Sequence, residues 1–266
     1  RMVGWNVPAW DPGELERLIL RHRPKLVYSN PTFQNPTGAT MEIDTRRELL
    51  RLAATHRVPI VEDDTYSLLH WNRPSPPSLR DLDAHNVVLR VGSFSMILGP
   101  GVRVGYIIAP RQIMDGLAAM KGAAAGPSDE VSQQAVAELL RGGAITSHLA
   151  DLRSEHKRRH EALMRSLEAA RLAPRDYVSP GGGLYSWIGF PQDGRRVAGA
   201  AARVGVGVGA GAKFYLGGKA SRHLRICFAA TPPDRIEEGV ALLSAALKGS
   251  DSHGAAGKAE SRGNHR

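Results

Sequence analysis

An α/β fold followed by a smaller α+β unit is predicted by three observations. Short, almost continuous apolar runs alternate with amphipathic helical stretches over the first 125 residues. Those runs end in loops rich in Gly, Pro, Asn and acid. The second half then changes character, to long helical stretches followed by short strands. Apolar strands alternating with helices imply a mostly parallel sheet covered on both faces.

The elements follow in order. Residues 13–22 read as an amphipathic helix, and Lys25-Leu26-Val27-Tyr28 as a short strand ended by the Pro/Asn/Gly-rich loop Asn30–Gly38. Asp44–His56 is helical, with Leu49, Leu50, Leu52 and Ala53 on one side. Val58–Val61 is a second strand that runs into the acidic turn Glu62-Asp63-Asp64; Val87–Val91 is a third and Val104–Ile108 a fourth. Pro127–Glu168 is mostly helical and breaks near Gly142-Gly143. Gly181–Ile188, Val204–Val208 and Leu224–Phe228 read as strands of the smaller unit. A last helix starts with Thr231 as cap and Pro232 in the first turn, and it aligns Ile236, Val240, Leu243 and Leu247 on one face. The expected domains are 1–125 and 126–247, the second including a linking helix, with the break somewhere in 110–150. Residues 248–266, rich in Gly, Ser, Ala and charge, are expected to be unstructured. No internal repeat is found.

Composition narrows the classes. With 266 residues, 42% of them hydrophobic, the chain can fill a real core. No apolar run approaches the roughly 20 residues that span a bilayer, and no signal peptide opens the chain. The single cysteine, Cys227, has no internal disulfide partner, so a reducing compartment, the cytoplasm, is expected. A net charge of +9 raises the question of nucleic acid. The arginines are spread along the chain, however, without helix-turn-helix, zinc-finger spacing or aromatic-basic interleaving. Nucleic acid is therefore expected only if a DNA-binding domain precedes Arg1.

Four patches carry chemistry. They are Asn30–Gly38, Glu62–Tyr66, Gly92–Tyr106 and His223–Ala229, all expected at the carboxyl ends of strands, where open α/β sheets bind ligands. In this order and spacing they resemble the motifs of the class I/II, fold-type-I aminotransferases that use pyridoxal 5′-phosphate. The likeness is nearest the aminoadipate and kynurenine branch and runs from about Trp5 to Leu247. It implies an incomplete large-domain sheet with helices on both faces, and a smaller C-terminal domain. It implies Asp63 beside the cofactor's ring nitrogen, and Asn35 and Tyr66 on its phenolic oxygen. Ser93, Ser95 and Arg103 become phosphate ligands. Arg225 becomes the grip on the substrate's α-carboxylate, with Asn35 also on the substrate side. An amino acid and a 2-oxo acid are the implied substrates, and a homodimer the implied assembly.

The chain departs from the family pattern in two ways. Met96 stands where the family has its Schiff-base lysine, and a thioether offers neither an amine nor a transferable proton. Asp63 and Tyr66 thus remain beside a position that is not competent. Neither Lys121 nor Lys213 matches a cofactor position. Arg1 is not a translation start, and the family's glycine-containing phosphate loop and stacking aromatic are expected upstream of it. Three accounts follow: a fragment of an altered enzyme, a non-catalytic relative that binds cofactor, or the sensing half of a GntR/MocR-type transcription regulator. The wording Gly92-Ser93-Phe94-Ser95-Met96-Ile97-Leu98-Gly99-Pro100-Gly101 is closer to the free enzymes.

Two further patterns carry less weight. His156 and His160 are four apart on a helix, but Lys157, Arg158 and Arg159 beside them favour a solvated basic face over a metal pair. Gly205–Gly211 resembles a dinucleotide loop without the strand-turn-helix context that chemistry needs.

Overall fold

A computed structural model of the chain describes residues 2–5, 9–126, 128–172 and 174–260. Its contacts group into two compact units: Arg1–Glu155 with Pro180–Gly183, and His156–Ser179 with Leu184–Arg266.

In the first unit, helix α1 spans Pro12–His22. The Asp11 side chain accepts the Gly13 N–H at 2.9 Å, proline occupies the first turn, and Arg23 closes the helix in the left-handed region with its N–H on the Ile19 carbonyl. Its apolar stripe buries Leu15 and Ile19. Helix α2 (Ile43–His56) buries Leu49, Leu50, Leu52 and Ala53, the face anticipated from spacing, together with Arg46. The short α3 (Leu79–Leu82) is held by a Ser78/Asp81 capping box.

Strands β1 (Val27–Ser29), β2 (Ile60–Asp63), β3 (Val88–Ser93) and β4 (Gly105–Ile108) form one sheet in that order. The first three are parallel and β4 is antiparallel to β3. Register stacks Val27, Ile60 and Val88 across three strands, and all three join the core with α1 and α2. Alternation sends Tyr28, Val61 and Leu89 to the opposite face. Helix α4 (Ser95–Leu98) fills the β3–β4 connection, and α5 (Arg111–Ala125) and α6 (Glu130–Arg141) follow. Helix α7 (Ala144–Ala169) starts after Gly143, whose φ of +72° makes the anticipated Gly142-Gly143 break.

In the second unit, β5 (Tyr185–Gly189), β6 (Gly209–Ala210) and β7 (His223–Cys227) form an antiparallel sheet of order β5-β7-β6. Helix α8 (Gly194–Arg203) is capped by Asp193, and α9 covers Pro233–Glu260.

Three expectations change. The strand read at Val204–Val208 is only Gly209–Ala210: α8 ends at Arg203, Gly205 turns the chain at φ +79°, and the next residues to reach β7 are those two. The last helix starts at Pro233, two residues beyond Thr231. His156 and His160 are not on a solvated face, being 3% and 7% exposed; the His160 ring meets the Tyr177 hydroxyl at 2.6 Å and packs edge-on to Phe228. Burial pushes His160 down to about 4, so the ring is neutral. The unstructured tail expected from Lys248 falls on the end of α9 and on residues 261–266, the latter outside the described residues.

Candidate functional site

Parallel pairing of β1, β2 and β3 places their carboxyl ends together, and the antiparallel pairing of Ser93 with Gly105 brings the start of β4 to the same end. The loops at Asn30–Gly38, Asp64–Tyr66 and Phe94–Val104 therefore open side by side. At about 4.8 Å between neighbouring strands, β1 to β3 spans about 10 Å, the width of a small ring compound. Asn35, Asp63, Tyr66, Ser93, Ser95, Met96 and Arg103 all belong to this end of the first unit.

Alternation along β2 separates three adjacent acids. Glu62 faces the core, fully buried, and accepts the N–H groups of Leu79 at 2.7 Å and Arg80 at 3.0 Å. Burial pushes its carboxyl up, and those two N–H groups oppose the shift. Asp64 turns back to the buried Arg90 ion pair and also accepts from the Ser67 hydroxyl at 2.9 Å. Burial pushes Asp64 up as well, against the pull of the Arg90 charge. Asp63 points to the other face and is half-buried. Its Oδ1 accepts from the Thr65 hydroxyl at 2.8 Å and the Thr65 N–H at 3.3 Å, and its Oδ2 accepts from the Tyr28 hydroxyl at 2.5 Å. Of the three acids, Asp63 is the one presented at the sheet end.

The Asn35 loop is tied to Asp63 through Asn30. The Asn30 amide donates to the Asp63 carbonyl at 2.6 Å, while its side-chain oxygen accepts the Asn35 N–H at 2.9 Å. The loop closes on itself through Gln34, which accepts the Gly38 N–H at 2.6 Å on its carbonyl and the Thr37 hydroxyl at 2.6 Å on its side chain. The Asn35-Pro36 peptide is cis. Arg46, with no exposed surface, reaches from α2 beneath the loop. It donates to the carbonyls of Met41 at 2.9 Å, Pro31 at 3.0 Å and Pro77 at 3.1 Å, and to the Thr32 hydroxyl at 2.8 Å. Phe33, at φ +48°, buries its ring against Gly182 and Gly183. A Cβ on Gly182 would lie 2.6 Å from the Leu69 carbonyl oxygen and inside the van der Waals surface of the Phe33 ring, so only glycine fits there.

Tyr66 is buried directly after the acidic turn. The Ser93 hydroxyl accepts the Ser95 N–H at 3.1 Å, and the Phe94 N–H returns to the Val104 carbonyl at 3.0 Å, so the serines and Arg103 share one closed loop. Ser95 is buried, Met96 half-buried one residue into α4, and Arg103 exposed at φ +52°. His148 of α7 meets the Ile97 carbonyl at 2.6 Å and braces this helix from behind.

Arg225 lies in the second unit, on β7 opposite Trp187. Its guanidinium stacks over the rings of Tyr185 at 4.5 Å and Phe214 at 4.8 Å.

Sequence reasoning missed Tyr28, Asn30, Thr65 and Arg46. Arg46 had a readable signal: it shares the i, i+3, i+4, i+7 face of Leu49, Leu50 and Ala53, where a charge is out of place. Tyr28 had none, because its neighbour across the sheet depends on register.

Residues 9–243 match the sequence profile of aminotransferase class I and II. The chain is 32% identical over 256 residues to a 2-aminoadipate transaminase of Thermus thermophilus, covering 92% of this chain and 64% of the relative. It is 32% identical over 192 residues to the uncharacterized HTH-type transcriptional regulator YisV of Bacillus subtilis, covering 71% of this chain and 40% of that protein. A crystal structure of Pyrococcus horikoshii kynurenine aminotransferase in complex with PMP superposes with a TM-score of 0.82 at 28% identity, over 90% of this chain and 61% of that one. The LysN α-aminoadipate aminotransferase of Thermus thermophilus, complexed with N-(5′-phosphopyridoxyl)-L-leucine, gives 0.83 at 31%, over 90% and 62%. The chain thus spans less than two thirds of the length of these relatives. With the order of its motifs, the sheet end that the first three share and this match in agreement, the chain belongs to the aminotransferase class I and II family.

Proposed function

We propose that the sheet end of the first unit binds pyridoxal 5′-phosphate without a covalent link, and that the chain is an impaired or inactive aminotransferase homologue. When bound, the cofactor supplies the electron sink for moving an amino group from an amino acid to a 2-oxo acid. The donor set fits such a group: a carboxylate, an amide and a phenol for the ring, and two hydroxyls and a guanidinium for the phosphate. In this reading Asp63 holds the proton on the ring nitrogen. Asn35 and Tyr66 bond the phenolic oxygen, Ser93, Ser95 and Arg103 bind the phosphate, and Arg225, with Asn35, takes the substrate carboxylate. Met96 fits no covalent link and moves no proton. A lost general base alone costs roughly 10²–10⁴ in rate.

The observation that carries this reading is the separation of Asp63 from Glu62 and Asp64, which leaves one carboxylate presented at the sheet end and tied through Asn30 to the Asn35 loop. A homodimer in the cytoplasm goes with it; no helix among the described residues is long and apolar enough to cross a membrane. The regulator likeness favours a second reading, the sensing half of a GntR/MocR-type regulator, in which cofactor and amino acid bind without turnover and nucleic acid is contacted by another domain.

Titration with pyridoxal 5′-phosphate followed by borohydride and mass spectrometry tests the proposal. Reversible binding is expected with no adduct at position 96, and Met96→Lys is expected to gain one. A trapped adduct or steady transamination by the unaltered chain overturns the inactive reading. Binding by neither form overturns the pocket.

A further inference from the structure

Asp63 is the residue on which the cofactor reading turns, and its side chain is held from outside its own loop. The contacts from Thr65 are local, a turn in which the residue two along bonds back to the carboxylate. They engage Oδ1 alone. Oδ2 is held by a phenol 35 residues earlier, on the neighbouring strand. Tyr28 pairs with Val61, so Asp63 is its diagonal neighbour on the same face of the sheet, within reach of a long side chain. The Tyr28 residue is 61% exposed, so little apolar burial accounts for the ring's placement, while its hydroxyl ends 2.5 Å from the carboxylate. Asn30, two residues on, binds the Asp63 backbone carbonyl at 2.6 Å. One strand and the loop after it thus hold both ends of the same aspartate.

We propose that Tyr28 is a positioning residue that fixes the Asp63 carboxylate toward the ring nitrogen of the bound cofactor; this rests on the cofactor reading above. Desolvation, then the hydrogen bond and charge of Asp63, push the Tyr28 phenol up from its ordinary value, so it stays a donor through neutral pH. Tyr66 is the other titratable group acting on it, in the same direction.

The test uses the whole chain and pyridoxal 5′-phosphate labelled with ¹⁵N in the ring, at a pH where the free cofactor carries no ring proton. Wild type is expected to show a protonated ring nitrogen. Tyr28→Phe is expected to shift that resonance part of the way to the free base and to raise Kd by about threefold to tenfold, the range for losing one partly exposed bond to a charged group. Asp63→Asn is expected to shift it completely. If Tyr28→Phe matches wild type in both readings while Asp63→Asn does not, the role of Tyr28 is refuted and the cofactor reading stands. If wild type shows no bound or no protonated cofactor, the cofactor reading fails and this inference with it. Should Tyr28→Phe lose its fold by circular dichroism, tyrosine ¹³Cζ titration of wild type and Asp63→Asn decides instead. One tyrosine must ionise at lower pH once Asp63 is neutral; identical titrations overturn the proposal.

Discussion

Replacing Arg46 by methionine removes a guanidinium that has no exposed surface and donates to four oxygens, at 2.8–3.1 Å. Methionine restores most of the volume, so the change reads hydrogen bonding and charge more than packing. The Pro31 carbonyl keeps the Met41 N–H at 2.7 Å, but the Met41 and Pro77 carbonyls and the Thr32 hydroxyl lose the Arg46 donor. Met41 and Thr32 are buried, and each of these two acceptors left without a donor costs about 1–3 kcal/mol, whereas Pro77 is exposed and water can take the place of the arginine there. The buried charge has its own balance: desolvation lowers the Arg46 pKa, while Glu62, Asp64 and Glu42 favour its charged form. Removing it leaves Glu62 and Asp64 with one cation fewer. A loss of about 3–5 kcal/mol is expected for the first unit, a large share of the 5–15 kcal/mol that typically holds a domain. Urea unfolding followed by the fluorescence of Trp10, which is buried in the first unit's core, measures it, and amide exchange at Gln34, Gly38 and Met41 shows whether the loop opens first. Arg46→Lys keeps the charge but not the fork, and is expected to fall between the two. A loss under about 1 kcal/mol with unchanged exchange at those amides would show that the loop holds its shape without the arginine.

Two other outcomes test the packing and the buried charge. Gly182→Ala is expected to lower the melting temperature of the first unit by an amount equivalent to about 1–3 kcal/mol, because its Cβ has no room between Phe33 and the Leu69 carbonyl; an unchanged melting curve contradicts this. His160 titrates at about 4 in the fold against an ordinary 6.5, so the unfolded chain takes up the proton first as pH falls. Its contribution is therefore full above about pH 6.5 and is lost between there and about pH 4, at most about 3 kcal/mol. Unfolding of the second unit across that window should show the slope in wild type and a flatter one in His160→Gln; equal slopes refute the assignment.

Local pattern carried much of the fold. Helices α1 and α2 could be read because apolar residues at three- and four-residue spacing fall on one face, and the caps at Asp11 and Gly143 are chemistry a few residues long. The Val204–Val208 strand misled because alternating Val and Gly satisfy a strand's period with no strand beside them to pair with. His156 and His160 misled because the charged residues between them point elsewhere on the helix, and only the packing of Tyr177 and Phe228 shows which side is buried.

At the site, the inventory was legible from the chain alone: an acid after one strand, serines and an arginine after another, an amide loop, and a thioether where an amine was expected. Those are matters of residue type and order. Folding was needed to show which of Glu62, Asp63 and Asp64 is presented, that Arg46 underpins the Asn35 loop, and that Tyr28 reaches Asp63. Each depends on strand register and side-chain direction, which are set by contacts between residues far apart in the chain.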